Sequence, residues 1–337
     1  IMGMACTSPE KAPSSGESPQ NCPSIRWEAL QNPVYAHDNW SVKDACMVCR
    51  DSTYYIFFSA FFHDDYDTGK RVRSHVTAVK TKDFMHYSDT LFMWDGMADG
   101  WIGMCSPNLT QTEDYYYLTY NSWGDKEGKH NQLFYARSKD LENWEKHLPL
   151  AHNLTQGLRA IDAGVAAHND RFYLIWKESK GLGNDDRVDL PRLAVSESMS
   201  GDFRKVYSGY PDFRLKSGIP NEKTHENFEF LQINGKWHLL ATDYFPHNPY
   251  LYEMGGNPDD KGNWLKWVNG YKLEVPVEQG FNTSYTANAA FLANWKPQKG
   301  YYYLLYAGRT QDTTFWTRGD NKLGLARSKD LTNWEVP

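Results

Sequence analysis

Across 337 residues the chain is 23 % charged and carries a formal net charge of −6. It is neither basic enough to suggest nucleic acid nor acidic in blocks, so no nucleic-acid partner is expected. No stretch approaches eighteen consecutive apolar residues, which excludes a transmembrane helix.

Residues 1–24 read as a flexible tail. Ile1-Met2-Gly3-Met4-Ala5-Cys6 has the small residue before a cysteine that ends a lipoprotein-type signal. The run from Thr7 to Gln20 is rich in Ser, Pro and Glu and cannot build a core. Cys6 is therefore a candidate lipid anchor. An anchored or exported chain is expected in the periplasm, at the cell surface or secreted; the alternative is a tail of no such meaning.

From Tyr54 onward a period of roughly sixty residues recurs five times. One landmark is an aromatic strand: Tyr54-Tyr55-Ile56-Phe57-Phe58, Tyr115-Tyr116-Tyr117-Leu118, Phe172-Tyr173-Leu174-Ile175-Trp176, Trp237-His238-Leu239-Leu240 and Tyr301-Tyr302-Tyr303-Leu304. The other is a turn-plus-strand signature, Ser138-Lys139-Asp140-Leu141-Glu142-Asn143-Trp144-Glu145 and Ser328-Lys329-Asp330-Leu331-Thr332-Asn333-Trp334-Glu335, with a weaker copy from Thr81 to Tyr87. Such a period predicts an all-β fold, a five-bladed β-propeller of four-stranded antiparallel blades around a central axial funnel, forming one catalytic domain over residues 25–337. Each blade's first strand begins at the axis, so function is expected there. Packing between blades accounts for most of the 13 Trp and 22 Tyr, leaving a few rings to stack on sugars.

Five cysteines give no disulfide framework, and Cys46 and Cys49 lack the second pair a zinc site needs. They read as buried thiols on the first strand of blade one. The loop cluster His63, Asp64, Asp65 and Asp67 reads as a solvated turn. There is no G-x-S-x-G elbow and no H-E-x-x-H, which argues against serine-hydrolase and zinc-protease chemistry.

Aligned on their aromatic strands, the blades place chemistry about ten residues upstream. Asp44 precedes Tyr54 by ten, Ser106 precedes Tyr116 by ten, and Asp162 precedes Phe172 by ten. Glu226 precedes Trp237 by eleven, and blade five offers Asn288. Three carboxylates converging on one funnel repel and raise one another's pKa, an arrangement with no use in folding. Catalysis by carboxyl groups in unlike protonation states does use it.

Asp44-Ala45-Cys46-Met47-Val48, Ser106-Pro107, Ile161-Asp162-Ala163 and Glu226-Asn227-Phe228, each ahead of its aromatic strand, resemble the blade pattern of glycoside hydrolase family 43 over about residues 33–337. The resemblance implies an inverting glycosidase with Asp44 as general base, Asp162 as modulator and Glu226 as general acid. Glu226 would be protonated, kept so by the charge of Asp162. The expected substrate is a terminal arabinofuranoside, xyloside or galactoside of a plant or algal polysaccharide or oligosaccharide, removed by an exo-acting enzyme. The loops from Phe61 to Lys70 and from Lys180 to Pro191 would wall the pocket on one side. The family's prolines after base and modulator are Ala45 and Ala163 here. Its blade-five histidine, which holds a central water or metal, is replaced by Ala287-Asn288, so no cofactor is required; a central calcium held through carbonyls and water is the exception left open. A propeller that binds carbohydrate without turning it over is the alternative. A phosphorylase would need a basic cluster near the carboxylates, and none stands out.

Trp40, Trp101 and Phe228 are candidates to stack on sugar. Ser106, Arg159, His225, Asn288 and Arg309 are candidates to bind its polar groups, the arginines through hydroxyls or a carboxylate.

Overall fold

A computed structural model describes residues 22–63, 72–124, 130–180, 188–283, 287–293, 299–310 and 318–337. The chain is all-β, and its strands fall in consecutive antiparallel groups. The first comprises β1 (Ser41–Arg50), β2 (Thr53–His63), β3 (Val72–Thr81) and β4 (Met93–Trp94). The second comprises β5 (Gly103–Gln111), β6 (Tyr116–Trp123), β7 (Leu133–Ser138) and β8 (Glu145–Pro149), joined to the first by one parallel bridge, Ser74 opposite Gly103. The third comprises β9 (Arg159–His168), β10 (Arg171–Lys180), β11 (Val188–Ser196) and β12 (Arg204–Lys205). In the fourth, β13 (Asp212–Leu215) adds in parallel to the outer edge of β14 (His225–Ile233), β15 (Lys236–Asp243), β16 (Pro249–Met254) and β17 (Lys266–Lys272). The last comprises β18 (Asn288–Leu292), β19 (Tyr302–Gly308), β20 (Lys322–Ser328) and β21 (Trp334–Glu335).

The repeated signature is a side-chain-capped turn. The Ser138 hydroxyl accepts the N–H groups of Asp140 and Leu141 at 3.1 and 2.9 Å, and Asp140 Oδ1 accepts those of Glu142 and Asn143 at 3.0 and 2.7 Å. Asp330 makes the same pair of bonds to Thr332 and Asn333 at 2.8 and 2.7 Å. Leu141 and Leu331 sit at φ 66° and 63°, and Trp144 and Trp334 each donate an indole N–H to that leucine's carbonyl. Ser and Asp at fixed spacing are what such turns demand, which is why the motif recurs.

Consecutive groups bury aromatic and aliphatic cores between them. Phe57, Trp94 and Tyr120 pack between the first and second groups, and Tyr117, Phe172 and Trp176 between the second and third. Tyr173, Trp264 and Trp267 fill the next interface, and Leu240, Leu292 and Tyr306 the one after it. A further core unites Trp27, Val34 and Tyr54 with Tyr303 and Leu323, so the start of the described chain packs on its end. There Tyr35 bridges Leu323, and Asn32 accepts from the Leu325 N–H while donating to its carbonyl.

One cysteine expectation is corrected. Cys49 is not a free thiol: it is disulfide-bonded to Cys22, Cα atoms 6.0 Å apart, tying the N-terminal segment to the far end of β1. A 27-residue separation between the partners left no local spacing from which to read the pair. Cys46 is a buried thiol as expected. Cys6, the tail to Gln20, and Asp64, Asp65 and Asp67 lie outside the described residues, as do most of the two loops expected to wall the pocket. Among the described residues no helix is long and apolar enough to cross a membrane.

Candidate active site

Each group's first strand carries a β-bulge at the same place. Register slips between Lys43 and Cys46, Cys105 and Asn108, Glu226 and Glu229, and Asn288 and Phe291, and β9 holds two residues, Asp162 and Ala163, against one on β10. The first bulged residue is left-handed in every case: Asp44 (φ 54°), Ser106 (57°), Asp162 (59°), Asn227 (51°) and Ala289 (46°). Non-glycine residues rarely adopt this conformation, Asp and Asn most readily. A bulge re-aims the side chains on either side of it, and in the first four groups it turns one or both of them toward one cavity.

This geometry corrects the alignment. A uniform offset of ten from Trp237 lands on Asn227, so Glu226 and Asn288 each stand one residue before the bulge, level with Lys43, Cys105 and Ile161. Two of five equivalent positions are carboxylates, not three. Glu226 nonetheless reaches the same cavity, because that cavity is lined by both the bulged residue and its predecessor. It has a volume of about 340 Å³, and Lys43, Asp44, Cys105, Ser106, Ile161, Asp162 and Glu226 come to it from four first strands. A larger cleft of about 450 Å³, between the N-terminal segment and the start of β19, lies away from all three carboxylates.

The three carboxylates are buried and differently partnered. Asp44, 1 % exposed, accepts from Asn227 Nδ2 at 3.0 Å on Oδ1, with Lys43 Nζ 3.4 Å away; its Oδ2 is buried and takes no protein hydrogen bond. Asp162 has its N–H anchored on Asn121 Oδ1 at 3.0 Å. Burial and the neighbouring Glu226 charge push its carboxyl up to about 6, against the pull of Lys177. Glu226 Oε2 accepts from Lys177 Nζ at 2.5 Å, and Lys177 also lies 3.8 Å from Asp189. Burial would raise Glu226, but the Lys177 and Lys43 ammonium groups outweigh it and hold the carboxyl at about 2. This departs from the expected assignment: of the two, Asp162 is the carboxyl that takes up a proton as pH falls through about 6, while Glu226 stays a carboxylate. Lys43, lowered by burial, is raised overall by Asp44, Glu226 and Asp162.

A basic cluster is therefore present beside the carboxylates, contrary to expectation: Lys43, Arg159 and Lys177 all line the cavity, with His247. Lys43 was legible as the neighbour of Asp44, and Lys177 as a charge directly following the apolar run Phe172–Trp176. Burial lowers His247 to about 4, leaving it neutral near pH 7.

Of the proposed contact residues, Ser106 and Arg159 line the cavity and the others do not. Trp40 stacks on His37 with centroids 3.7 Å apart and meets His75 edge-on. Trp101 is core, against Phe134. Phe228 is fully buried between the third and fourth groups, its carbonyl accepting from Asn108 Nδ2. His225 stacks on Phe213 and hydrogen-bonds the Tyr252 hydroxyl at 2.7 Å, behind the site. Asn288 is buried away from the cavity, and Arg309 pairs with Asp320 at 3.7 Å. His225 fails by sequence proximity: outside the bulge strand neighbours alternate faces, so the residue beside Glu226 points away from the cavity.

Exposed aromatic rings at this cavity come instead from the turn after β15. Tyr244 and Phe245 line the cavity yet are 46 % and 73 % exposed. The turn is held by buried Asp243, whose Oδ1 accepts from His247 and Asn248 N–H at 2.6 and 2.9 Å. An exposed ring on a rigid turn at a cavity mouth suits the C–H face of a sugar. Replacing Phe245 with Ala is expected to raise KM about tenfold with kcat little changed, since one stacked ring contributes about 1–1.5 kcal/mol. A KM within twofold of the unmodified enzyme would show that the ring does not touch substrate.

Compared with family models and with curated protein sequences, the chain matches none. Solved structures do match. A family 43 subfamily 1 glycoside hydrolase from Xanthomonas citri, crystallised with xylose, is 16 % identical over 92 % of this chain and 93 % of its own, TM-score 0.61. A glycosyl hydrolase from Bacteroides ovatus is 12 % identical over 97 % and 99 %, TM-score 0.60. A structure from the family 130 mannoside phosphorylases, described there as containing hydrolases of β-1,2-mannosidic linkages in Candida mannan, is 12 % identical over 100 % and 98 %, TM-score 0.56. At such identities the likeness is one of fold, and the chain has the propeller-like fold of family 43 and family 130 glycoside hydrolases.

Proposed function

We propose that this chain is an inverting, exo-acting glycoside hydrolase on a five-bladed propeller, closed where the N-terminal segment packs on the last sheet. Its substrate would be a terminal arabinofuranoside, xyloside or galactoside of a plant or algal glycan. The observation that carries this reading is the set of three buried carboxylates around one cavity, with Asp44 Oδ2 unpartnered and Asp162 and Glu226 pushed to opposite sides of the carboxylate range. Unlike protonation in adjacent carboxyl groups is the arrangement that acid–base glycoside cleavage requires.

In this reading Asp44 is the base, held by Asn227 and Lys43 while Oδ2 takes a proton from the attacking water. Asp162 and Glu226 together hold the proton that the leaving oxygen needs. Substrate entry shifts Lys177 from Glu226 toward Asp189, Glu226 takes the proton from Asp162 and passes it on, and Asp162 remains as the modulating charge. The disulfide Cys22–Cys49 supports an exported protein, because such bonds persist in oxidising compartments.

The test is hydrolysis of aryl arabinofuranosides, xylosides and galactosides, with the first-formed anomer read by proton NMR. Turnover with inversion is expected. A retained configuration would overturn the mechanism, and saturable glycan binding with no turnover would make the chain a carbohydrate-binding propeller.

A further inference from the structure

Among the described residues, the cavity holds one cation with no carboxylate in contact with it. Lys43 has Asp44 at 3.4 Å, and Lys177 has Glu226 at 2.5 Å and Asp189 at 3.8 Å. Arg159, half-buried in the same wall, has no carboxylate partner among the described residues; its bond there is Nη1 to the Ser179 hydroxyl at 3.1 Å. That hydroxyl in turn donates to Asp189 Oδ1. The row is built into the sheet, since Arg159 stands opposite Ser179 across β9 and β10, and Ser179 opposite Asp189 across β10 and β11. One hydrogen bond therefore aims the guanidinium and leaves most of its planar fork free toward the cavity.

Arg159 does not hold the catalytic carboxylates in place, so a contact with ligand is left for it. The kind of ligand follows from desolvation. A substrate that fills the cavity strips water from a guanidinium with no carboxylate partner among the described residues, and a neutral hydroxyl compensates such a group poorly. An oxyanion compensates it fully and matches its fork in a bidentate pair. The walls would not repel an anion either: the three lining carboxylates are matched by three lining cations, and Asp162 is the carboxyl that protonates first.

Resting on the reading of this site as one that acts on glycans, we propose that it takes an oxyanion at Arg159, which is its specificity-determining residue. The oxyanion is either the carboxylate of a uronic acid in the glycan or free phosphate in place of water. In the phosphate case a phosphate oxygen bonds to the anomeric carbon as the bond to the leaving oxygen breaks. That oxygen takes the proton from the Asp162–Glu226 pair, and a sugar 1-phosphate results.

Calorimetric titration with D-galacturonate, D-glucuronate, D-galactose, D-glucose and inorganic phosphate tests this, at low salt and in 0.5 M sodium chloride. A uronate or phosphate is expected to bind at least tenfold tighter than the neutral hexoses, with affinity falling in high salt. Arg159→Gln should lose that margin while keeping its affinity for neutral sugar, and Arg159→Lys should keep part of it, which separates lost charge from a lost fold. A uronate preference without phosphate binding assigns the anion to the glycan. Phosphate binding with phosphate-dependent release of sugar 1-phosphate assigns it to the acceptor. Equal affinity for uronates and hexoses with no phosphate binding overturns the proposal, as does an Arg159→Gln variant that keeps the preference. Hydrolysis of neutral aryl glycosides alongside either of those results leaves the glycosidase reading standing. An Arg159-dependent uronate preference without turnover of any glycoside does the reverse.

Discussion

Asp44→Asn is expected to lower kcat/KM about 10³-fold, at the middle of the range for removal of a general base, while the protein stays folded. Both halves follow from the bulge. Asp44 sits at φ 54°, a conformation that Asn tolerates as well as Asp, so the substitution adds no backbone strain. The amide keeps an oxygen to accept from Asn227 Nδ2, and the group that changes is the unpartnered Oδ2. Lys43 loses its nearest counter-charge but keeps those of Glu226 and Asp162, so no isolated buried ammonium results. Glycine suits the same φ and leaves a space where the carboxylate was. In Asp44→Gly, added azide should therefore restore turnover at least tenfold and give the glycosyl azide of inverted configuration. A folded Asp44→Asn protein within tenfold of the unmodified rate would remove Asp44 from the base role.

What the sequence carried and what it hid divide along a physical line. The repeat was legible because each copy uses local chemistry: Ser138 and Asp140 cap the turn they belong to, and an aromatic strand such as Phe172–Trp176 announces a strand buried on both faces. Asp44 and Asp162 were legible because the repeat fixes their offset. The bulges were not, since a one-residue slip in pairing is a property of two strands; it made Glu226 look like the counterpart of Asp44 when Asn227 is. The proton's resting place was hidden for a related reason. It depends on Lys177, forty-nine residues from Glu226 and aimed at it by a different sheet. Tyr244 and Phe245 escaped notice because their exposure, not their type, marks them out. Cys22 and Cys49 meet only once the chain end has packed on the sheets.

Removing Lys177 tests the proton account directly. With Lys177→Met, Glu226 loses its principal ammonium partner, and burial, which raises a carboxyl, is left opposed chiefly by Lys43. Asp162 loses a lowering influence as well, so both members of the pair move up. If the reaction needs one proton on this pair, kcat/KM falls as pH rises through its upper apparent pKa, about 6 before substitution. The alkaline limb should therefore move at least one pH unit higher in Lys177→Met, whereas Lys177→Arg, which keeps the charge, should move it less. Stability shifts with it, and the signs are opposite for the two carboxyls. Glu226 at about 2 lies below its ordinary 4.5, so it favours the folded state above that value and ceases to as pH falls toward 2. Asp162 at about 6 lies above its ordinary 3.8, so its contribution is full below that value and lost as pH rises through 6. In Lys177→Met, Glu226 should join Asp162 in this second behaviour, because a buried carboxylate without its partner ionises only at higher pH. Thermal midpoints measured between pH 4 and pH 8 should then decline more steeply toward pH 8 than those of the unmodified protein. An unmoved alkaline limb in a folded Lys177→Met enzyme would mean that the proton reaches the leaving oxygen from a group other than this pair.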